Sequence, residues 1–399
     1  MGSRAVRSLA LVALGHLAVE LCSDFLPVMY PLLMANLGLA YTQIGVIALV
    51  ASVGTSLAQP LFGYVSDRWS PHRLSALSVL WIGLLMGAVG LAKSYSWLLL
   101  LVGFGTLGSA AFHPPAATIA AASGGTKRGT AVSVFSVGGS MGAALSPLWI
   151  TGVMRWLGTR GTLMLVPVGV LVGALLYRWL GLGIGERARP KVRPARPENK
   201  ALAGIILLVL AVMSLAWFLV TLRTYLPIWV LNQGQSAQAG ARLLSVLLAS
   251  MGVGSLFGGA LSDRLGRWQV FALCLGLLSP VLLLFLGATG ILQAALVAMV
   301  GVLVGATFPL SIVMAQEAWP SGVGIASGLV MGLGWVPGGI GASVTGMIAD
   351  RLSLHTGLSL LVVPAALGTA CVLCYALAQR LPLRHDRHAM SEEVNVRPS

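Results

Sequence analysis

Charge is scarce in this chain. Asp, Glu, Lys and Arg make up 9% of its 399 residues, where soluble chains carry roughly 25%, and this excludes an ordinary soluble domain. The scarcity is concentrated in runs. Gly129–Met154, Ala201–Leu222, Leu243–Ser262 and Leu352–Gln379 contain none of the four residues, and Trp268–Gln316 is long enough for two membrane crossings and a turn. The runs lack the short polar/apolar alternation of a β-barrel. A Walker-type phosphate loop and a Gly-rich nucleotide motif are missing as well, so transport powered by ATP is excluded. Cysteine is sparse: Cys22, Cys274, Cys371 and Cys374 all fall in apolar runs. Cys371-Val-Leu-Cys374 has a redox spacing but no nearby charge to lower a thiol pKa, so apolar filler is the expectation. No Ser-His-acid set can be assembled. No metal site is expected either, because His16 and His113 fall on different spans with no Cys or second carboxylate set beside them. The reading is a protein that is not an enzyme and needs no cofactor.

What is present is apolar: 57% of residues, with a mean hydropathy of +0.90. The charged breaks mark twelve spans, near 8–35, 42–65, 74–93, 95–120, 129–154, 161–183, 201–232, 239–261, 269–287, 290–316, 323–349 and 356–380. The fold class expected is an all-α membrane protein of twelve helices. With the N-terminus inside, 19 of the 25 Lys and Arg fall in or beside cytoplasmic segments, which is the positive-inside bias. Both termini are therefore expected in the cytoplasm of a bacterium, with the chain in its inner membrane. The formal net charge of +14 orients the chain and does not point to nucleic acid. Arg4 and Arg7 imitate the start of a signal peptide, but His16, Glu20 and Asp24 interrupt its apolar core, so the first helix reads as uncleaved.

Residues 184–200, basic and rich in proline, separate a bundle at 1–183 from a second at 201–380, and 381–399 form a cytoplasmic tail. The bundles read as copies offset by 196 residues. Gly63, Ser66, Asp67 and Arg68 register with Gly259, Ser262, Asp263 and Arg264, Pro31 and Asn36 with Pro227 and Asn232, and Phe112 with Phe308. A constant offset over such a length signals duplication. Two parallel six-helix repeats that rock about a midplane site are an alternating-access architecture, which a pore would not need.

Gly63-Tyr-Val-Ser-Asp67-Arg68, followed by Arg73, and Gly259-Ala-Leu-Ser-Asp263-Arg264-Leu-Gly-Arg267 resemble the signature loop of the major facilitator superfamily. The first copy departs in its Ser-Pro-His segment. His16-Leu-Ala-Val-Glu20, Tyr30-Pro-Leu-Leu33, Gln59-Pro-Leu-Phe-Gly63, Phe112-His-Pro-Pro115 and Phe135-Ser-Val-Gly-Gly139 resemble the fosmidomycin-resistance-type efflux branch, which often carries Asp where Glu20 stands. The resemblance implies two pseudo-symmetric six-helix bundles. It also associates span five with a Gly-x-x-x-Gly-Pro element of antiporters; here Pro147 lies five residues past Gly142, and Gly138 and Gly142 read equally as helix-packing residues. Gly63, Asp67, Arg68, Arg73, Gly259, Asp263, Arg264 and Arg267 sit where helices leave the membrane and are expected to form a conformational latch. Interfacial solvation is the plain alternative.

Ionisable groups inside the hydrocarbon are costly and mark function. His16, Glu20 and Asp24, at i, i+4 and i+8, form one stripe on span one. With His113, beside two prolines in span four, they are the expected proton-coupling groups, Glu20 first. A static pair remains the alternative for His16 and Glu20, and capping of freed carbonyls for His113. Arg223 is the one basic residue well inside a span. It either anchors an anionic substrate, pairs with Asp24 or Glu20 until displaced, or reaches out to the interface. Tyr30, Phe112, Trp217 and Trp335 are expected substrate contacts. Together these features predict a proton-coupled, monomeric, lipid-embedded carrier that exports a small drug-like or anionic compound. A proton-coupled importer and a non-transporting receptor are the alternatives.

Overall fold

The computed structural model describes residues 3–180, 199–320, 325–326 and 329–380. Most of the expected linker and the whole expected tail lie outside the described residues. Among the described residues the chain is helical, without strands. The N-terminal half contains α1 (Ser3–Ser23), α2 (Leu26–Leu37), α3 (Tyr41–Ser56), α4 (Gln59–Arg68), α5 (Pro71–Gly87), α6 (Tyr95–Ser123), α7 (Arg128–Leu157) and α8 (Leu165–Trp179). The C-terminal half contains α9 (Asn199–Asn232), α10 (Ala237–Leu265), α11 (Arg267–Gly287), α12 (Gly290–Ala318), α13 (Val336–Arg351), α14 (Leu354–Ser359) and α15 (Val362–Arg380).

Ten helical stretches among the described residues are long and apolar enough to cross a membrane. One of them, spanning 128–179, is two helices joined by a tight turn over Gly158–Met164. The sixteen-residue α13 follows a π-helical turn at Leu329–Leu333 and occupies the expected eleventh span. The all-helical membrane fold thus matches the expectation. Its first two spans need correction, because each is broken in two. Pro27 and Pro60 stand in the first turns of α2 and α4, where a residue without an N–H is tolerated but cannot continue the preceding helix. Several other helices start on a serine whose hydroxyl accepts a backbone N–H: Ser70 from Arg73, Ser94 from Trp97, Ser236 from Ala239 and Ser353 from Thr356. Helix α2 ends on Gly38 at φ 64°, a left-handed cap that glycine adopts without strain.

Small residues set the packing inside each half. A Cβ on Gly138 would lie 2.3 Å from the Ala13 carbonyl oxygen, and one on Gly142 would lie 2.2 Å from that of Leu17. Helices α1 and α7 therefore touch backbone to backbone, as the small residues of span five require. Pro147 is buried further along the same helix. Gly83 and Gly169 bring α5 and α8 together, and Gly254 and Gly305 do so for α10 and α12.

The seam between the halves is built by α3 on α13, α7 on α10 and α2 on α9. Gly45 packs on the backbone of Ala342 and Ser343, Gly339 on that of Leu49, and Gly252 on Ser140. At one end of the seam, Tyr41 and Thr42 of α3 meet Tyr225, Asn232 and Asp350 of the other half. This sealed end is the one remote from Ser3 and Arg380.

Candidate functional site

The site starts from the break between α1 and α2. Ser23 hydroxyl donates back to the Val19 carbonyl at 2.9 Å, and the helix stops at Asp24 and Phe25 before Pro27. The break turns Asp24 out of the stripe it shares with His16 and Glu20. Its carboxylate leaves the N-terminal half and pairs with the Arg223 guanidinium of α9. The Asp24 side chain is only 7% exposed and Arg223 27%. An ion pair buried to this degree joins the two halves partway along the 3–37 helical stretch, and removal of one partner would strand the other charge.

Glu20 stays within the N-terminal half. Its Oε1 lies 3.1 Å from His113 Nε2 and 3.5 Å from His16 Nε2. The far side of each ring is pinned to backbone: His16 Nδ1 lies 2.9 Å from the Phe135 carbonyl oxygen, and His113 Nδ1 2.7 Å from that of Ser109. A carbonyl only accepts, so each Nδ1 carries the hydrogen and each neutral ring presents a bare Nε2. Two lone pairs and an ionised carboxylate cannot share this space without repulsion. The geometry is satisfied when the cluster holds one further proton, either on Glu20 donating to His113 or on His113 donating to Glu20. His16 is held in place by stacking on Phe135 at 4.2 Å between ring centroids and by an edge contact with His113 at 5.0 Å. The sequence reading that these histidines do not cluster is corrected here. Tertiary packing of α1 on α6 brings them onto one carboxylate, His113 at hydrogen-bond distance and His16 within ion-pair reach.

Prolines 114 and 115 lie within α6 and cannot donate to the carbonyls of the preceding turn. His113 uses its Nδ1 to engage the Ser109 carbonyl, one turn back on its own helix, and turns Nε2 to Glu20. The carbonyls that the prolines leave without an N–H are those of Ala110 and Ala111, so the bond to Ser109 does not cap them. Side-chain exposure of 27% for His113 and 20% for Glu20 leaves the cluster reachable.

The family model for the Major Facilitator Superfamily matches residues 12–342. The chain belongs to that superfamily. It is similar to the fosmidomycin resistance protein of Escherichia coli, 29% identical over 358 residues that cover 87% of each chain. It is also similar to a probable 4-methylmuconolactone transporter of Cupriavidus pinatubonensis, 29% identical and covering 87% of this chain and 82% of that one. Its fold is like that of a bacterial homologue of the human lysosomal transporter Spinster, solved in an inward-facing and occupied conformation. That comparison gives a TM-score of 0.79, 16% identity, and coverage of 96% of this chain and 98% of that one.

The superfamily's signature loops lie at the end opposite the seal. Arg68 places its guanidinium over the Tyr64 ring, 4.2 Å from the centroid. Ser70 caps the next helix through the Arg73 N–H. In the second copy Arg267 pairs with Glu317 of α12, while Asp263 and Arg264 are exposed. Gly63 and Gly259 have open surroundings. The side chain of Asp67 lies outside the described residues. In this conformation these contacts stay inside each half.

The expected substrate contacts divide. Tyr30 and Phe112 are buried in the hydrophobic core of the N-terminal half, where Phe112 packs against Gly15, His16 and Phe135. Trp217 and Trp335 remain half-buried in the C-terminal half. Trp335 meets Phe308 with ring centroids 6.0 Å apart, and Trp217 lies over Gly341, where a Cβ would come within 2.2 Å of its indole ring.

Sequence reasoning missed Gly139 and the residues of the seal. A Cβ on Gly139 would lie 2.3 Å from His16 Cε1, so this glycine makes room for the ring beside Glu20 and His113. For the seal, one signal was present: Gly346-Met-Ile-Ala-Asp350-Arg351 repeats the Gly-x-x-x-Asp-Arg spacing of both signature loops.

Proposed function

We propose that this secondary transporter of the major facilitator superfamily is proton-coupled and exports a small drug-like or anionic organic compound from a bacterial cell by alternating access. The observation that carries this reading is the pair of charge clusters within the first helical stretch: Glu20 between two histidines in one half, and Asp24 joined to Arg223 across the seam. A proton held between Glu20 and His113 sets the charge of the cavity wall. The Asp24–Arg223 pair opposes separation of the halves where it bridges them. With the termini in the cytoplasm, as the distribution of Lys and Arg supports, the sealed end faces outward and the site is reached from inside.

Export by exchange requires substrate and proton to exclude each other. A compound that donates a hydrogen bond to Glu20 or Asp24 does so directly, because those oxygens accept either the proton or the compound. The similarity to a fosmidomycin resistance protein supports the outward direction.

One feature favours a second reading, proton-coupled import. An anion on Arg223 displaces Asp24, and the freed carboxylate is then stranded unless it takes a proton. For an anion bound in this way, proton and substrate travel together. The sign of the proton flux distinguishes the two.

The test reconstitutes the protein in liposomes under an imposed pH gradient, with fosmidomycin as first probe and a panel of organic acids beside it. Export by exchange predicts proton movement opposite to the compound; import predicts movement with it. Glu20→Gln should abolish uphill movement and leave exchange of compound for compound. Uphill transport at full rate in Glu20→Gln would remove the proton assignment.

A further inference from the structure

Helix α3 begins with an exposed defect. Its N-cap is Ala40, which has no side-chain acceptor, so the first N–H groups of the helix have no partner from their own half. The other half supplies one. Asp350, at the end of α13, accepts from the Tyr41 N–H through Oδ1 and from the Thr42 N–H through Oδ2, both at 2.9 Å; the Thr42 hydroxyl donates to Oδ2 at 2.5 Å. A cap normally comes from the residue next to the helix. Here it comes from more than 300 residues away and across the seam.

The neighbouring contacts repeat the pattern on the same short segment. Tyr225 hydroxyl lies 2.8 Å from the Tyr41 carbonyl oxygen and 2.9 Å from that of Ala342, and Asn232 Nδ2 donates to the Tyr41 hydroxyl at 2.9 Å. Gly346 lets these groups converge: a Cβ there would lie 2.5 Å from both Tyr225 Oη and the Tyr41 carbonyl oxygen. Gly346 and Asp350 are the first and fifth positions of the third Gly-x-x-x-Asp-Arg segment. The two signature loops place their glycines in open surroundings, whereas this third segment is docked on the opposite half.

We infer that Gly346–Asp350 is a third latch of the signature type, placed at the opposite end of the seam, and that the trans cap of α3 by Asp350 holds that end shut. The inference rests on the alternating-access reading but not on proton coupling. Rocking of the halves must withdraw Asp350 from α3 and give Tyr41 and Thr42 N–H groups to water. The latch therefore opens by displacement of α13 against α3, and the two central glycines of that contact, Gly45 and Gly339, pack tightly enough to make the docked state discrete.

The latch is not a sensor of ordinary outside pH. Burial acts to raise the Asp350 carboxyl, but the bonds from the Thr42 hydroxyl and the Thr42 and Tyr41 N–H groups prevail and hold it below the usual carboxylate range. The titratable and charged groups nearest in structure or chain are Tyr41 on α3, Tyr225 on α9, Arg351 beside it and His355 at the start of α14. A depressed carboxylate stabilises the docked state above its undocked value, about 3.9 for Asp, and loses that contribution only as pH falls through the lower docked value. Between about pH 8 and about pH 5 the latch has constant strength.

Hydrogen exchange on the full chain in lipid nanodiscs tests this, read at the amides of Tyr41 and Thr42. Asp350→Ala should speed their exchange about tenfold or more, with protection in α1 and α7 unchanged, and should do so equally in a Glu20→Gln background. Asp350→Asn, which keeps one acceptor oxygen, should give a smaller change and serves if Asp350→Ala does not fold. After correction for intrinsic rates, protection in the Glu20→Gln background, where the coupling proton is removed, should stay level from about pH 8 to about pH 5. Unchanged exchange in folded Asp350→Ala, or protection lost near neutral pH in the Glu20→Gln background, would overturn the latch. Failure of the Glu20→Gln transport test alone would leave it standing.

Discussion

The two halves share a scaffold and differ in chemistry. At the constant offset of 196, His16, Glu20 and Asp24 stand opposite Val212, Ala216 and Val220, and His113 stands opposite Pro309. Every carboxylate and histidine of the candidate site thus belongs to the N-terminal half. The C-terminal half answers with Arg223, opposite Pro27, and with the side chains that seal the seam. On the alternating-access reading the two repeated bundles rock, one carrying the titratable groups and the other a fixed positive charge. This division has a physical reason. A carboxylate and a guanidinium on one helix would pair locally and report nothing about the distance between halves, whereas the same pair divided across the seam ties charge to conformation.

The comparison is most easily broken at the pair that spans it. Asp24→Asn or Arg223→Gln alone leaves a charge buried without its partner and should cost about 3–5 kcal/mol of stability. The double variant removes both charges and should recover most of that loss in a thermal unfolding assay, while transport remains impaired. Equal losses in the single and double variants would show that the halves are not held by this pair.

A smaller effect is expected inside the N-terminal half. His113→Gln replaces a charge-assisted bond to Glu20, a contact type worth about 1.5–3 kcal/mol, and should slow proton-driven transport roughly tenfold to a hundredfold while changing its pH profile. A lower rate with an unaltered profile would reduce His113 to a structural role. Gly139→Ala sharpens the same point from the neighbouring helix. Its methyl would displace the His16 ring, at an overpacking cost of about 1–3 kcal/mol, and should shift the pH dependence of transport as well as stability. The smallest effect belongs to Cys374→Ala, on an exposed face of α15, where stability should change by no more than about 0.5 kcal/mol.

Much of the fold was legible in the sequence because hydrocarbon imposes simple rules: charge-free runs become helices, and a constant offset exposes a duplicated bundle. The breaks within the first two spans were less visible, because Pro27 and Pro60 read as ordinary apolar residues until their place in a helix turn is known. In the candidate site, Glu20, Asp24, His113 and Arg223 stood out as ionisable groups in apolar surroundings. Their pairing was legible only in part: Arg223 with Asp24 was one of several readings, and Glu20 with His113 was not among them. Spacing put Asp24 in one stripe with Glu20, and only the helix break shows that it turns away to Arg223. Spacing also separated His16 from His113, which meet through the packing of α1 on α6. The trans cap was hidden for a different reason: Ala40 is an unremarkable residue, and the absence of a local cap matters only once α3 is known to begin there.

The account depends on a proton at Glu20 governing which end of the seam is open. Spin labels at Asn36 and Gln233, exposed residues on opposite sides of the sealed end, report its separation without any substrate. The account predicts a distance distribution that changes with pH in the wild-type protein and stays fixed in Glu20→Gln. A wild-type distribution that does not respond to pH, or one that responds identically in Glu20→Gln, would contradict it.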